Sequence, residues 1–315
     1  MTWMDAPTAA LPARHSSLVS RTSKALTRLV TRHSSLVTLL LVLGSAFACR
    51  AAEVPVFTPK SPWGRVVMIG ASATAGFTAS EMLGGTNTQF HQLSRYVDAA
   101  LAVPHEPVQN LANAFFFMQP EAAGPGQIRS ALESKPTMVI GVDFLFWFCY
   151  GAQAQTDKDR MKRFERGLKL LEPISCPLIL GDIPDASAAI DGMLSASQVP
   201  SGRAMAEANK RLKEWAASRP GVVVVPLAAF MRTATADLPL VVHGHSWASG
   251  KTRVLLQNDM LHPTPAGAAA LALAILDAFH AARPGTATNE IRWDPTEVLR
   301  LGLKPLTFTP VKMVK

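Results

Sequence analysis

The stretch Arg65-Val-Val-Met-Ile-Gly70-Ala-Ser72-Ala-Thr-Ala-Gly76 joins an uninterrupted apolar run to a turn of small residues. Residues 66–69 carry no polar side chain at alternate positions, the pattern of a strand covered on both faces. Gly70 ends the run, and the small residues after it can turn straight into a helix with Ser72 at the junction. A buried strand feeding a turn and helix is the opening unit of a parallel sheet with crossover helices.

The chain then repeats this unit. Residues 90–101 read as a helix, with Leu93, Val97 and Leu101 along one stripe. Short strands are expected at 107–111, 137–146, 177–180 and 222–225. Helices are expected at 126–133, 157–171, 205–217 and 263–282. Right-handed crossovers turn that order into an α/β protein, a three-layer α/β/α sandwich with a central, flavodoxin-like parallel sheet. Ligands in such sheets bind beyond the carboxyl ends of the strands. Residues 183–202 and 232–258 read as long loops able to shape a site there.

Composition agrees with a globular chain: 48% hydrophobic and 17% charged residues over 315 positions. The net charge of +8 is uneven. Arg14, Arg21, Lys24, Arg28, Arg32 and Arg50 face only Asp5 within residues 1–50, so five of the eight charges belong to that segment. The remaining three, on a domain this size, exclude an electrostatic case for nucleic-acid binding. The basic segment leads into the apolar run Leu36–Gly44 and then Ser45-Ala-Phe-Ala48, a small-x-small pattern for signal peptidase. Residues 1–52 are thus expected to be a leader for export, either cleaved or retained as an anchor. Cys49 follows the small residues, which opens a lipoprotein reading with an acylated thiol, although Ala46 stands where leucine is usual. The segment also repeats Arg14-His-Ser-Ser-Leu-Val19 as Arg32-His-Ser-Ser-Leu-Val37. Residues 53–283 read as the folded domain and 284–315 as an extension packed on its surface. Cys149 and Cys176 read as buried free thiols, expected at opposite ends of the sheet.

Two segments carry chemistry. A serine hydroxyl is a poor nucleophile near neutral pH and needs a base such as histidine. Ser72 sits where a strand meets a helix, with backbone N–H groups available to developing negative charge. Near the C-terminus, Asn258-Asp259-Met-Leu-His262-Pro-Thr-Pro-Ala-Gly267 precedes the last helix. An aspartate three residues before a histidine can fix its tautomer and stabilise the imidazolium. Each segment also has a plain structural reading, as a turn and as a helix start. The glycine spacing around Ser72 fits neither a dinucleotide fingerprint nor a P-loop. Asp182 and Asp185 are explained by turn chemistry beside Pro184. His243 and His245 lack an evident third metal ligand, so a loop role is expected and no metal. The aromatic run Phe144–Tyr150 suits a core or the lining of an acyl pocket.

Taken together, Gly70-Ala71-Ser72 and Asp259-Met260-Leu261-His262-Pro263 resemble the GDSL/SGNH hydrolase superfamily over about residues 66–282. The resemblance implies a cofactor-free esterase, lipase-like in its acyl preference: Ser72 the nucleophile, His262 its base and Asp259 the orienting acid. It implies a small-molecule or glycan ester as substrate and a periplasmic or extracellular site of action. A carbohydrate deacetylase uses the same residues, and a catalytically impaired binder of acyl or glycan ligands is the reading from another class. The implied oxyanion hole falls on Ser72, the 110–114 loop (Asn110 or the backbone of Ala114) and Asp143. The chain departs from the family here. Ala71 replaces the aspartate of the Gly-Asp-Ser turn, and Asp143 stands where an asparagine should donate. An ionised carboxylate only accepts hydrogen bonds. Either Asp143 is protonated, or Asn110 or Asn113 substitutes for it, or Asp143 is a structural carboxylate bonding loop amides.

Overall fold

The computed structural model describes residues 61–81, 85–151, 156–283, 285 and 287–305. The leader, Cys49 and the end of the extension lie outside the described residues. Strands β1 (Val66–Met68), β2 (Gln109–Asn110), β3 (Met138–Gly141), β4 (Leu178–Gly181) and β5 (Val222–Val225) form one parallel sheet in the order β2-β1-β3-β4-β5. Register runs Val67 to Val139, Val139 to Leu178 and Leu178 to Val222. The order reverses at β1, so the crevice beyond its carboxyl end opens between the β1 and β3 loops, where such sheets bind ligands.

Alternation along the strands supplies two cores, as the pleat requires. Val66, Met68, Met138, Ile140, Ile179 and Val223 point to one face, against α2 (Leu93–Ala100) and α8 (Pro265–Ala282). Val67, Ile69, Val139, Leu178 and Leu180 point to the other, against α5 (Asp157–Leu170) and α6 (Gly202–Ala217). The three-layer α/β/α sandwich expected from the sequence is therefore the observed fold. Side-chain caps start three of the long helices: Thr156 accepts from Asp159 N–H, Ser201 from Ala204 N–H and Thr264 from Gly267 N–H. The alanines of α8 let it lie close to the sheet; a Cβ on Gly267 would stand 1.8 Å from the Leu255 carbonyl oxygen.

Several expected boundaries moved. The strand expected at 137–146 stops at Gly141, and Phe146–Cys149 is a helical turn, α4. An apolar run buried on all sides has no period to separate strand from helix. The helix expected at 126–133 is α3, Pro120–Glu133, with Pro120 in its first turn where proline is tolerated. The 232–258 loop instead holds the end of α7 (Leu227–Thr235) and a hairpin of β6 (Leu240–Val242) and β7 (His245–Trp247). Beyond α8, Ile291 bridges to Leu101, and helix α9 (Pro295–Gly302) buries Val298 beside α2. Cys149 and Cys176 are both free thiols; Cys149 lies inside α4, and burial pushes its pKa up to about 12.

Candidate active site

The turn after β1 brings Ser72 to the first position of the short helix α1 (Ser72–Ala75). Ser72 is 8% exposed, and its Oγ lies 2.8 Å from His262 Nε2. His262, 1% exposed, has its Nδ1 2.7 Å from Asp259 Oδ2. The other oxygen of Asp259 accepts the backbone N–H groups of Leu261 and His262, both at 3.0 Å. Met260, with φ of +58°, bends the chain tightly enough for one carboxylate to serve both tasks. Burial pushes the Asp259 carboxyl up, but the bonds from the His262 ring and the two amides outweigh it and hold it below its ordinary value. An ionised Asp259 can only accept, so Nδ1 carries the imidazole proton and Nε2 faces Ser72 with its lone pair. Two residues 190 positions apart are thus joined in one hydrogen-bonded chain.

Side chains that the sequence did not single out hold this arrangement. Gln127, buried on α3, accepts from Gly70 N–H and donates to Gly70 C=O, each at 2.9 Å. Gln257 donates to the carbonyls of Phe77 and Pro263 at 2.8 and 2.9 Å, tying the histidine loop to the segment after α1. The Phe77 ring packs on His262 with centroids 4.4 Å apart. A buried amide in a helix, or one in a loop, has no sequence signature that tells it from an exposed one; only the partner backbone reveals it.

The expected oxyanion donors are only partly assembled. Asp143 is a structural carboxylate. Its Oδ1 accepts from Ala71 N–H at 3.0 Å and Thr74 Oγ1 at 2.7 Å, and its Oδ2 from Thr74 N–H at 3.0 Å. Burial nevertheless pushes its pKa above the ordinary value, against the lowering effect of those three bonds. The expectation that Asp143 donates to an oxyanion is corrected: both oxygens are engaged by donors under the serine turn. Asn110 is committed in part: its Nδ2 donates to the Thr74 carbonyl, which leaves one amide hydrogen over, and its Oδ1 accepts from Ala112 N–H. Asn113 uses Oδ1 to cap Phe115 N–H. Ser72 N–H, in the first turn of α1, has no acceptor inside the helix. Ala114 is half-buried on the loop after β2.

Beside Ser72 and His262 lies an apolar pocket enclosing about 50 Å³, walled by Val142, Phe146, Trp147, Leu227, Phe230 and Met231. Other sequence candidates lie in structural roles. Asp182 Oδ1 accepts Ala228 N–H at the start of α7, and Asp185 Oδ1 accepts Ser187 N–H in a turn. His243 sits at the hairpin tip, 2.9 Å from Asp277 Oδ1 and stacked on Trp293, while His245 opens β7.

No family model and no curated protein matches the chain. Among solved structures it is similar to a catalytic mutant of Axe2, an acetylxylan esterase from Geobacillus stearothermophilus, at 16% identity over 70% of this chain and 93% of that one, TM-score 0.43. It is similar to the C-terminal catalytic domain of the Streptococcus pneumoniae peptidoglycan O-acetyltransferase OatA at 12% identity, 70% and 94% coverage, TM-score 0.41. The psychrotrophic esterase EstA from Pseudoalteromonas sp. stands at 16% identity, 69% and 97% coverage, TM-score 0.40.

Proposed function

We propose that this chain is an exported serine ester hydrolase of the GDSL/SGNH type. The observation that carries the reading is the Ser72–His262–Asp259 chain at 2.8 and 2.7 Å, at the carboxyl end of β1. In the reaction, His262 Nε2 takes the hydroxyl proton as Ser72 Oγ attacks the acyl carbonyl carbon. The C–O bond to the leaving alcohol then breaks, and the imidazolium returns its proton to that oxygen. A water, deprotonated by the same nitrogen, attacks the acyl-serine and releases the carboxylic acid and free Ser72. Asp259 stabilises the imidazolium in both halves. The apolar wall beside Ser72 favours an acyl group without charge. Residues 1–48 would direct export with cleavage after Ala48, which N-terminal sequencing of secreted protein checks; loss of lipid labelling in Cys49→Ser tests the anchor.

A phosphonate probe for active-site serines tests the chemistry. Labelling and 4-nitrophenyl ester turnover that vanish in Ser72→Ala, but survive in the exposed-surface control Ser130→Ala, support the hydrolase. A second reading, an impaired binder of acyl or glycan ligands, draws on Asp143, which accepts three bonds where a donor was expected. Folded protein that binds ligand but neither labels nor turns over would favour it.

A further inference from the structure

The loop after β2 places three large apolar side chains in water within four residues: Phe115 is 54% exposed, Phe117 42% and Met118 66%. Phe116, between them, is fully buried against Phe144 and Phe148, so it anchors the turn. With Phe116 drawn inward, Phe115 and Phe117 are left facing out. Other exposed apolar residues, such as Leu132 and Leu303, are isolated in sequence, as is normal for a protein surface. A cluster like this one marks a binding surface. It is continuous with the site: the Phe117 ring rests 5.6 Å from that of Trp147, and Trp147 is a wall of the pocket that holds Ser72 and His262. At about 50 Å³, against about 150 Å³ for a protein cavity that takes benzene, the space beside Ser72 suits only the first few carbons of an acyl chain. A longer chain must leave along an apolar path, and Trp147 leads to Phe117.

We propose that Phe115, Phe117 and Met118 form the outer half of an acyl site and take the distal carbons of medium- and long-chain fatty acyl esters. The proposal rests on the reading of Ser72 as an ester nucleophile. Burying a methylene is worth about fourfold in affinity, so losing contact with even two of them costs more than about tenfold.

The test is a series of 4-nitrophenyl esters from acetate to dodecanoate, on full-length protein and on the triple variant Phe115→Ser, Phe117→Ser, Met118→Ser. The expected result is a loss of about tenfold or more in kcat/KM for dodecanoate, mostly in KM, with butyrate within about twofold of wild type. Phe117→Leu should keep most of the preference. In parallel, calorimetry of dodecanoate binding to Ser72→Ala protein, with and without the triple substitution, reads the surface without catalysis. Short-ester turnover with no chain-length preference, or one the triple variant retains, overturns the proposal and leaves the Ser72 reading intact. Dodecanoate binding that depends on the three residues, with no turnover of any ester, supports the acyl site while sinking the hydrolase. A wild-type dimer that the triple variant makes monomeric assigns the surface to a second copy of the chain and overturns the proposal.

Discussion

Asp143→Asn separates two accounts of the serine turn by the sign of its effect. The carboxylate receives three donors: Ala71 N–H and Thr74 Oγ1 on one oxygen and Thr74 N–H on the other. Asparagine has a single acceptor oxygen. With that oxygen at the Oδ1 position, its Nδ2 confronts Thr74 N–H, donor against donor. With the amide flipped, the Thr74 hydroxyl can rotate to accept, but Ala71 N–H loses its partner. Either orientation orphans one buried backbone N–H next to Ser72, at about 1–3 kcal/mol. A shift of about 1 Å in the Ser72 turn costs about 100-fold in rate. The variant should therefore unfold at lower urea, by about 1–3 kcal/mol, and lose about 10- to 100-fold in kcat on 4-nitrophenyl butyrate with KM little changed. The rival account makes position 143 a missing oxyanion donor that asparagine restores, raising kcat by about 10²–10³. A faster Asn variant of unchanged stability would refute the structural role assigned to Asp143.

Asp259→Asn can keep its oxygen on the Leu261 and His262 amides, but its Nδ2 then faces His262 Nδ1 and forces the proton to Nε2, the wrong tautomer for a base. Turnover should fall by about 10³–10⁴ with folding preserved, measured by kinetics alongside circular dichroism. Gly267→Ala would drive a Cβ to 1.8 Å from the Leu255 carbonyl oxygen, so α8 must move away. A loss of about 1–3 kcal/mol in urea unfolding, with reduced turnover from the displaced histidine loop, is expected. His105 offers a pH test away from the site. Burial lowers its pKa, but the bonds to Asp98 and the Val103 carbonyl outweigh this and raise it above 6.5. A raised folded value contributes stability that is fully present below 6.5 and is lost as pH rises through the folded pKa. Urea midpoints should accordingly fall across that window in wild type and flatten in Asp98→Asn; an equal slope in both would sink the assignment.

The sandwich and its catalytic candidates were legible because their signals are local. Continuous apolar runs at 66–69, 177–180 and 222–225 dictate buried parallel strands whatever surrounds them. The Asp259-to-His262 spacing sets its own turn, since both partners lie within four residues. Ser72 was legible only as the serine of a strand-to-helix turn; that it meets His262 depends on β1 and α8 being brought together by the sheet. Nothing local ends the 137–146 run at Gly141, where a Cβ would press to 3.0 Å from Ile69 of the adjoining β1 segment.

The sequence by itself offered His262 as a base and Asp259 as its orienting acid, from side-chain chemistry and short spacing, and offered Ser72 as nucleophile only through the resemblance of the two segments taken together. Tertiary structure alone decided what the remaining polar groups do. Asp143 accepts from the serine turn, and Gln127 clamps Gly70 from 57 residues away. A buried polar group must find a partner, and that partner is chosen by whatever backbone the fold sets beside it. Of the roles the sequence left open for Asp143, the acceptor was selected because the chain leaving β3 brings it beside the backbone amides of Ala71 and Thr74 at the serine turn.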